Sequence, residues 1–360
     1  MTDLGGLTSS RSIIVCCGTG GVGKTTTAAT VALEGARQGR RTVVVTIDPA
    51  KRLADALGAS GALSNTPSRI EGDWPGELWA VMLDTKTTFD ELVRRYSADP
   101  EQAARILANR FYRNISTALS GTQEYMAAEK LYELHDELDF HLVVVDTPPT
   151  HNALDFLDAP GRLTRFLDHR LYRVLMAPTR VYLRAVNAAA RTVLRSMTKV
   201  VGAEVISDAI AFFQAFDGME AGFRERARRV LELLGAADTA YVLVAAPRAD
   251  AVEEAMYFAK RLADSGMAVA ALVVNRVHPT FGTGTAASAH AAAAPHAGTD
   301  LAVLWENLAE FRDAAAREAE QLTALRAQIG DAVVCLVPQL ADDVHDLDGL
   351  ATVGRHLFGR

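Results

Sequence analysis

Apolar residues along this chain come in two rhythms. Short, nearly unbroken apolar runs of strand length stand at Ile13–Cys17, Arg41–Ile47, Leu78–Leu83, Leu142–Val145, Tyr241–Ala245, Val269–Val274 and Val333–Val337. Between them lie stretches with helical spacing, among them 27–38, 87–96, 101–119, 122–134 and 252–265. Apolar runs without polar alternation suit strands covered on both faces. Their alternation with helices predicts an α/β fold: a mostly parallel sheet flanked by helices. From Arg162 to Leu234 no strand-like run appears, so 161–235 is expected to be a helical insertion within one domain spanning 1–360. Residues 282–298 are Ala/Gly-rich with scattered His and Thr, and read as a mobile loop.

Composition narrows this picture only a little. With 49% apolar and 22% charged residues in 360, the chain has the make-up of a soluble globular protein with a sizeable core. A net charge of −7 gives no global reason to expect nucleic acid. Three cysteines, Cys16 and Cys17 adjacent and Cys335 alone, form neither a disulfide framework nor a C-x-x-C pair. The N-terminus lacks a basic leader, and no uncharged apolar run reaches the roughly 18 residues a membrane span needs. A soluble, cytoplasmic protein is the expectation.

The candidate chemistry starts where the first strand ends. Gly18-Thr19-Gly20-Gly21-Val22-Gly23-Lys24-Thr25-Thr26 fits G-x-x-x-x-G-K-[ST] in full, between a strand and a helix. Glycines let the backbone turn so that successive N–H groups point at phosphate oxygens, and the helix N-terminus adds a favourable field. Gly20, Gly21, Val22, Gly23, Lys24, Thr25 and Thr26 are therefore the expected nucleotide-binding loop. Lys24 is placed to reach the β- and γ-phosphates and the Thr25 hydroxyl to ligate Mg²⁺.

Two acids end predicted strands, where ligands of open α/β sheets gather. Asp146 follows Leu142–Val145 and has the place of a carboxylate that holds Mg²⁺ with Thr25. Asp48 follows the second strand and suits a catalytic residue that orients or polarises the attacking water. Asp48-Pro49 is equally a helix cap followed by a first-turn proline, and the two roles are compatible.

Three segments, GTGGVGKTT, DPAKRLADAL and VVVDTPPTHNALDFL, together resemble the ArsA-type ATPases, a family that includes arsenite-efflux and tail-anchored-protein-targeting ATPases. The resemblance runs in order over nearly the whole chain. It implies ATP and Mg²⁺ as ligands, switch segments at 48–57 and 146–151, and a dimer that closes over ATP. It further implies that Asn275, after Val273-Val274, recognises adenine, and that Pro338 packs on the base; an asparagine that merely terminates a strand is the other reading of Asn275. Pro247 with Glu254 matches a further family feature.

The departures from that pattern carry information. The family's loop has a second lysine after its first glycine, reaching the partner's phosphates, and here Thr19 stands instead. Threonine is short and uncharged, so a heterodimer with a related ATPase that keeps the lysine is the expected assembly. The zinc C-x-x-C pair and arsenite-binding cysteines are absent, and so are spare thiolates for an iron–sulfur cluster. From Gly161 to Val200 there are nine basic residues against one acid. At about 100° per residue Arg180, Arg184, Arg191, Arg195 and Lys199 share one helix face, for anionic lipid, for an acidic partner, or simply for solvent. The stretch 321–360 is more acidic than basic, which argues against DNA.

Overall fold

The computed structural model describes residues 3–48, 52–59, 61, 63–113, 122–148, 155–168 and 203–359. Eight strands form one sheet: β1 (Ile13–Cys17), β2 (Arg41–Thr46), β3 (Ser68–Ile70), β4 (Glu77–Met82), β5 (Leu142–Asp146), β6 (Thr239–Ala245), β7 (Val269–Val277) and β8 (Val333–Pro338). Their order is β3-β4-β2-β5-β1-β6-β7-β8. All neighbouring pairs are parallel except β3–β4, which is antiparallel. The mostly parallel α/β sheet flanked by helices expected from the apolar runs is the observed fold. Every residue of β1 and β5 is buried, which is why those runs carry no polar alternation.

The chain folds into two compact units. The sheet unit comprises 1–82, 134–154 and 237–360. In it the helix Lys24–Arg37 packs on β2 and β5, and its Ala28, Ala29, Ala32 and Ala36 are wholly buried. Register then sets the site: Thr46 of β2 and Cys16 of β1 both lie level with Asp146 of β5. The carboxyl ends of three central strands therefore meet beside the loop that leaves β1.

The second unit, 83–133 with 155–236, is helical in its described part and reaches beyond the expected 161–235. Its interior holds an ion pair, Glu129 Oε2 to Arg226 Nε at 2.6 Å, with both side chains buried. The Tyr125 hydroxyl donates to Glu129, and the Arg226 guanidinium lies 3.8 Å from the centroid of the Tyr132 ring.

The expected loop at 282–298 is corrected: it holds a helix, Ala286–Ala293, and a 3-10 turn, Ala294–His296. The cause is a capping box in which Thr285 and Ser288 satisfy each other's backbone N–H groups ahead of an alanine run of high helix propensity. This helix packs on the 30-residue helix Asp300–Ile329 that follows. The helix Leu4–Ser10, capped by Asp3, and the edge strand β3 had no signal in the apolar pattern. Lys51, Thr150, His151 and the basic face Arg180–Lys199 lie outside the described residues.

Candidate functional site

The loop after β1 is built around close approaches that only glycine permits. Gly23 has φ 95°, and a Cβ there would lie 2.2 Å from Asn275 Nδ2. It is also the N-cap of helix Lys24–Arg37, and no described side chain caps that helix. First-turn N–H groups are thus left for an anion. Lys24 is 5% exposed, and its ammonium folds back to donate to the Thr19 carbonyl at 2.6 Å. Burial lowers the Lys24 pKa, while the negative charge of Asp146 opposes the shift.

Asp146 receives two hydroxyls on one oxygen. Thr25 Oγ1 donates to Oδ2 at 2.7 Å and Thr46 Oγ1 donates to the same atom at 2.9 Å. The other oxygen, Oδ1, is buried with no hydrogen-bond partner among the described residues. Burial pushes the carboxyl up to about 6, against the pull of the two hydroxyls and Lys24. A buried carboxylate oxygen without a donor, beside a threonine hydroxyl with acceptor capacity to spare, fits a hard divalent cation that keeps some of its waters. Thr25 and Asp146 are the residues able to hold Mg²⁺.

Asp48 stands at the next strand end. Its backbone N–H donates to Thr46 Oγ1 at 3.2 Å, and its carboxylate pairs with Arg52 Nη1 at 3.6 Å. Arg52 opens the short helix Arg52–Ala56. Across the loop, Asn275 Nδ2 donates to the Val22 carbonyl at 2.9 Å and its Oδ1 accepts from the Arg276 N–H at 2.9 Å. Arg276 has φ 61°, unusual for arginine, at a register shift of β7 against β8. Asn275 is thus a strut to the loop from within β7, which runs on to Val277. One amide N–H and one lone pair remain for a base edge.

A cavity of about 760 Å³ joins these parts, all within the sheet unit. Gly21, Gly23, Lys24, Thr25 and Thr26 line one end, with Asp48 and Arg52 beside them. Asn275, which touches the loop, lines the cavity too, as do Arg276 and Pro338. Of the expected residues, Gly20, Val22 and Asp146 do not line it. Gly20 is exposed, Val22 is buried behind the loop, and Asp146 lies beneath Thr25. Thr46, whose role follows from strand register, was not among the expected residues. Thr147, inside the expected switch segment 146–151, donates its hydroxyl to the Cys16 carbonyl at 2.8 Å. Glu318, also not expected at the site, accepts from the His278 N–H at 2.8 Å and fastens the long helix to the cavity rim.

A phosphate-type glycine loop leaving a central parallel strand, with an acid at the adjacent strand end, defines an α/β protein of the P-loop NTPase class. The chain belongs to the anion-transporting ATPase family, whose model matches residues 11–287. It is 30% identical over 154 residues to an ATPase GET3 of Malassezia globosa, covering 43% of this chain and 44% of that protein. An ATPase ASNA1 homolog 1 of Paramecium tetraurelia is also 30% identical, over 155 residues, covering 42% of this chain and 44% of the relative. An ATPase ASNA1 homolog of Dictyostelium discoideum matches at 30% over 148 residues, 41% of each chain. The matched stretch therefore spans less than half the length of these relatives.

Proposed function

We propose that this chain is a cytoplasmic Mg²⁺-dependent ATPase that converts ATP and water to ADP and phosphate. In this reading ATP closes a dimer, and hydrolysis reopens it to engage and release a partner. The observation that carries the reading is the Thr25–Asp146 pair beside buried Lys24. It offers hydroxyl, carboxylate and ammonium at the mouth of a loop shaped for anions. The names of the relatives, all ATPases, support the same choice of reaction.

Loop N–H groups from Gly20 to Thr26 hold the phosphates, and Lys24 exchanges the Thr19 carbonyl for phosphate oxygens. Thr25 and Asp146 hold Mg²⁺, which when bound neutralises charge developing on the transferred phosphoryl group. Asp48 orients the attacking water. Asn275 and Pro338 hold the adenine, the amide matching donor to acceptor on the purine edge.

The test is Asp48→Asn. A positioned base contributes roughly 10²–10⁴-fold, so phosphate release should fall by at least about a hundredfold while ATP binding persists. With ATP trapped, light scattering should find the variant as a dimer. Equal turnover in parent and variant would reduce Asp48 to a helix cap.

A second reading has one observation in its favour. Thr19 is 7% exposed, and its hydroxyl turns onto its own loop at the Gly20 carbonyl. It has neither the length nor the charge to serve a partner's phosphate. A regulatory subunit, paired with a related ATPase bearing the missing lysine, would bind ATP tightly yet release little phosphate alone. The parent's turnover, measured before and after adding such an ATPase, separates the two readings.

A further inference from the structure

The phosphate end of the cavity holds a cation for which the loop motif gives no role. Arg52 lines it together with Lys24, Thr25 and Asp48, and its side chain is 62% exposed. Leu53, Ala54 and Ala56, which follow it on the same short helix, are buried in the core. The backbone is anchored, so the long side chain can swing without moving its helix. Its 3.6 Å contact with Asp48 is longer than the 2.7–2.9 Å or so of a charge-assisted hydrogen bond, and half in solvent such a pair is weak and readily exchanged.

A further cation beside the loop suits a triphosphate. A triphosphate entering the loop brings its charges to a place already holding the carboxylates of Asp48 and Asp146. On the loop itself Lys24 is the one cationic side chain, since position 19 is threonine. Enclosing anionic charge without compensating cations is costly. A guanidinium suits the purpose better than an ammonium, because its planar fork binds two phosphate oxygens at once.

We infer that Arg52 is a γ-phosphate sensor: in the empty or ADP-bound protein it pairs with Asp48, and it turns to the terminal phosphate when ATP is bound. The inference rests on the ATPase reading above. A diphosphate leaves Arg52 on Asp48, and a triphosphate draws it away and relaxes its hold on the water-orienting carboxylate. A line of contacts carries that change inward: Arg52 to Asp48, the Asp48 N–H to Thr46, and Thr46 to Asp146. Arg52 is thus a positioning residue that distinguishes ATP from ADP within its own chain.

The experiment measures, by calorimetry in Mg²⁺, the affinities of the full chain for ADP and for a non-hydrolysable ATP analogue. Parent, Arg52→Ala and Arg52→Lys are compared. Arg52→Ala should weaken the triphosphate by about ten- to a hundredfold, the range of a hydrogen bond to a charged group. ADP affinity should stay within about twofold of the parent. Arg52→Lys should fall between, keeping charge but losing the fork. An unchanged triphosphate-to-diphosphate ratio in Arg52→Ala, or an equal loss for both ligands, overturns the sensor and leaves Arg52 a structural partner of Asp48. If the parent binds neither nucleotide, the ATPase reading falls and the sensor with it.

Discussion

Asp146 is the residue on which the chemistry of the site turns. Its carboxyl titrates near 6 rather than at its ordinary 3.8 because burial disfavours the charged form. A raised pKa means the folded state prefers the acid. That contribution to stability is fully present below about 3.8 and is lost as pH rises through about 6. Asparagine mimics the neutral acid and still accepts from Thr25 and Thr46. We therefore predict that Asp146→Asn melts above the parent at pH 7.5 in a chelator, and that the gap narrows as pH falls through about 6 and is closed only below about 3.8. Calorimetric melts across that pH range check this, and a lower melting temperature for the variant at pH 7.5 would contradict it. Lys24, Thr25 and Asp146 were legible in the sequence because a motif fixes their spacing and a strand end fixes their place. Thr46 and the pairing of Arg52 with Asp48 were not, because they come from strand register and side-chain reach, which no linear pattern encodes.

Elements were legible in proportion to their apolar signal. β1, β2 and β5 announced themselves because both their faces are covered. The helix Ala286–Ala293 carries no amphipathic period, since alanine on every face looks alike, and only the Thr285–Ser288 cap marks it. In the helical unit the burial of Glu129 and Arg226 was equally hidden, because charged residues on helices ordinarily face water. Burial raises the Glu129 pKa, and Arg226 opposes that shift. Breaking a buried pair by removing one partner costs about 3–5 kcal/mol, because the other charge is left stranded. Arg226→Ala should therefore destabilise the protein by about that amount in urea unfolding. Glu129→Leu with Arg226→Met should recover most of the loss. A single substitution costing under about 1 kcal/mol would show that the pair is solvated.

At the scale of the molecule, the parallel sheet could be read from seven apolar runs, whereas the make-up of the helical unit could not. That unit draws on 83–133 as well as 155–236, and contacts between segments so distant in sequence leave no local trace. Among the described residues no helix is long and apolar enough to cross a membrane. One unit is a parallel sheet that carries the candidate site, and the other, helical in its described part, holds a buried ion pair. In the sheet unit the loop, Asp48 and Asn275 line one cavity, and Asp146 lies behind Thr25. Titration calorimetry of Mg·ATP into the parent and into Lys24→Ala tests the nucleotide reading of that site most directly. The parent should bind saturably, and loss of the loop ammonium should weaken binding by about a hundredfold or more, at an unchanged fold by circular dichroism. Equal affinity in the two proteins would contradict that reading.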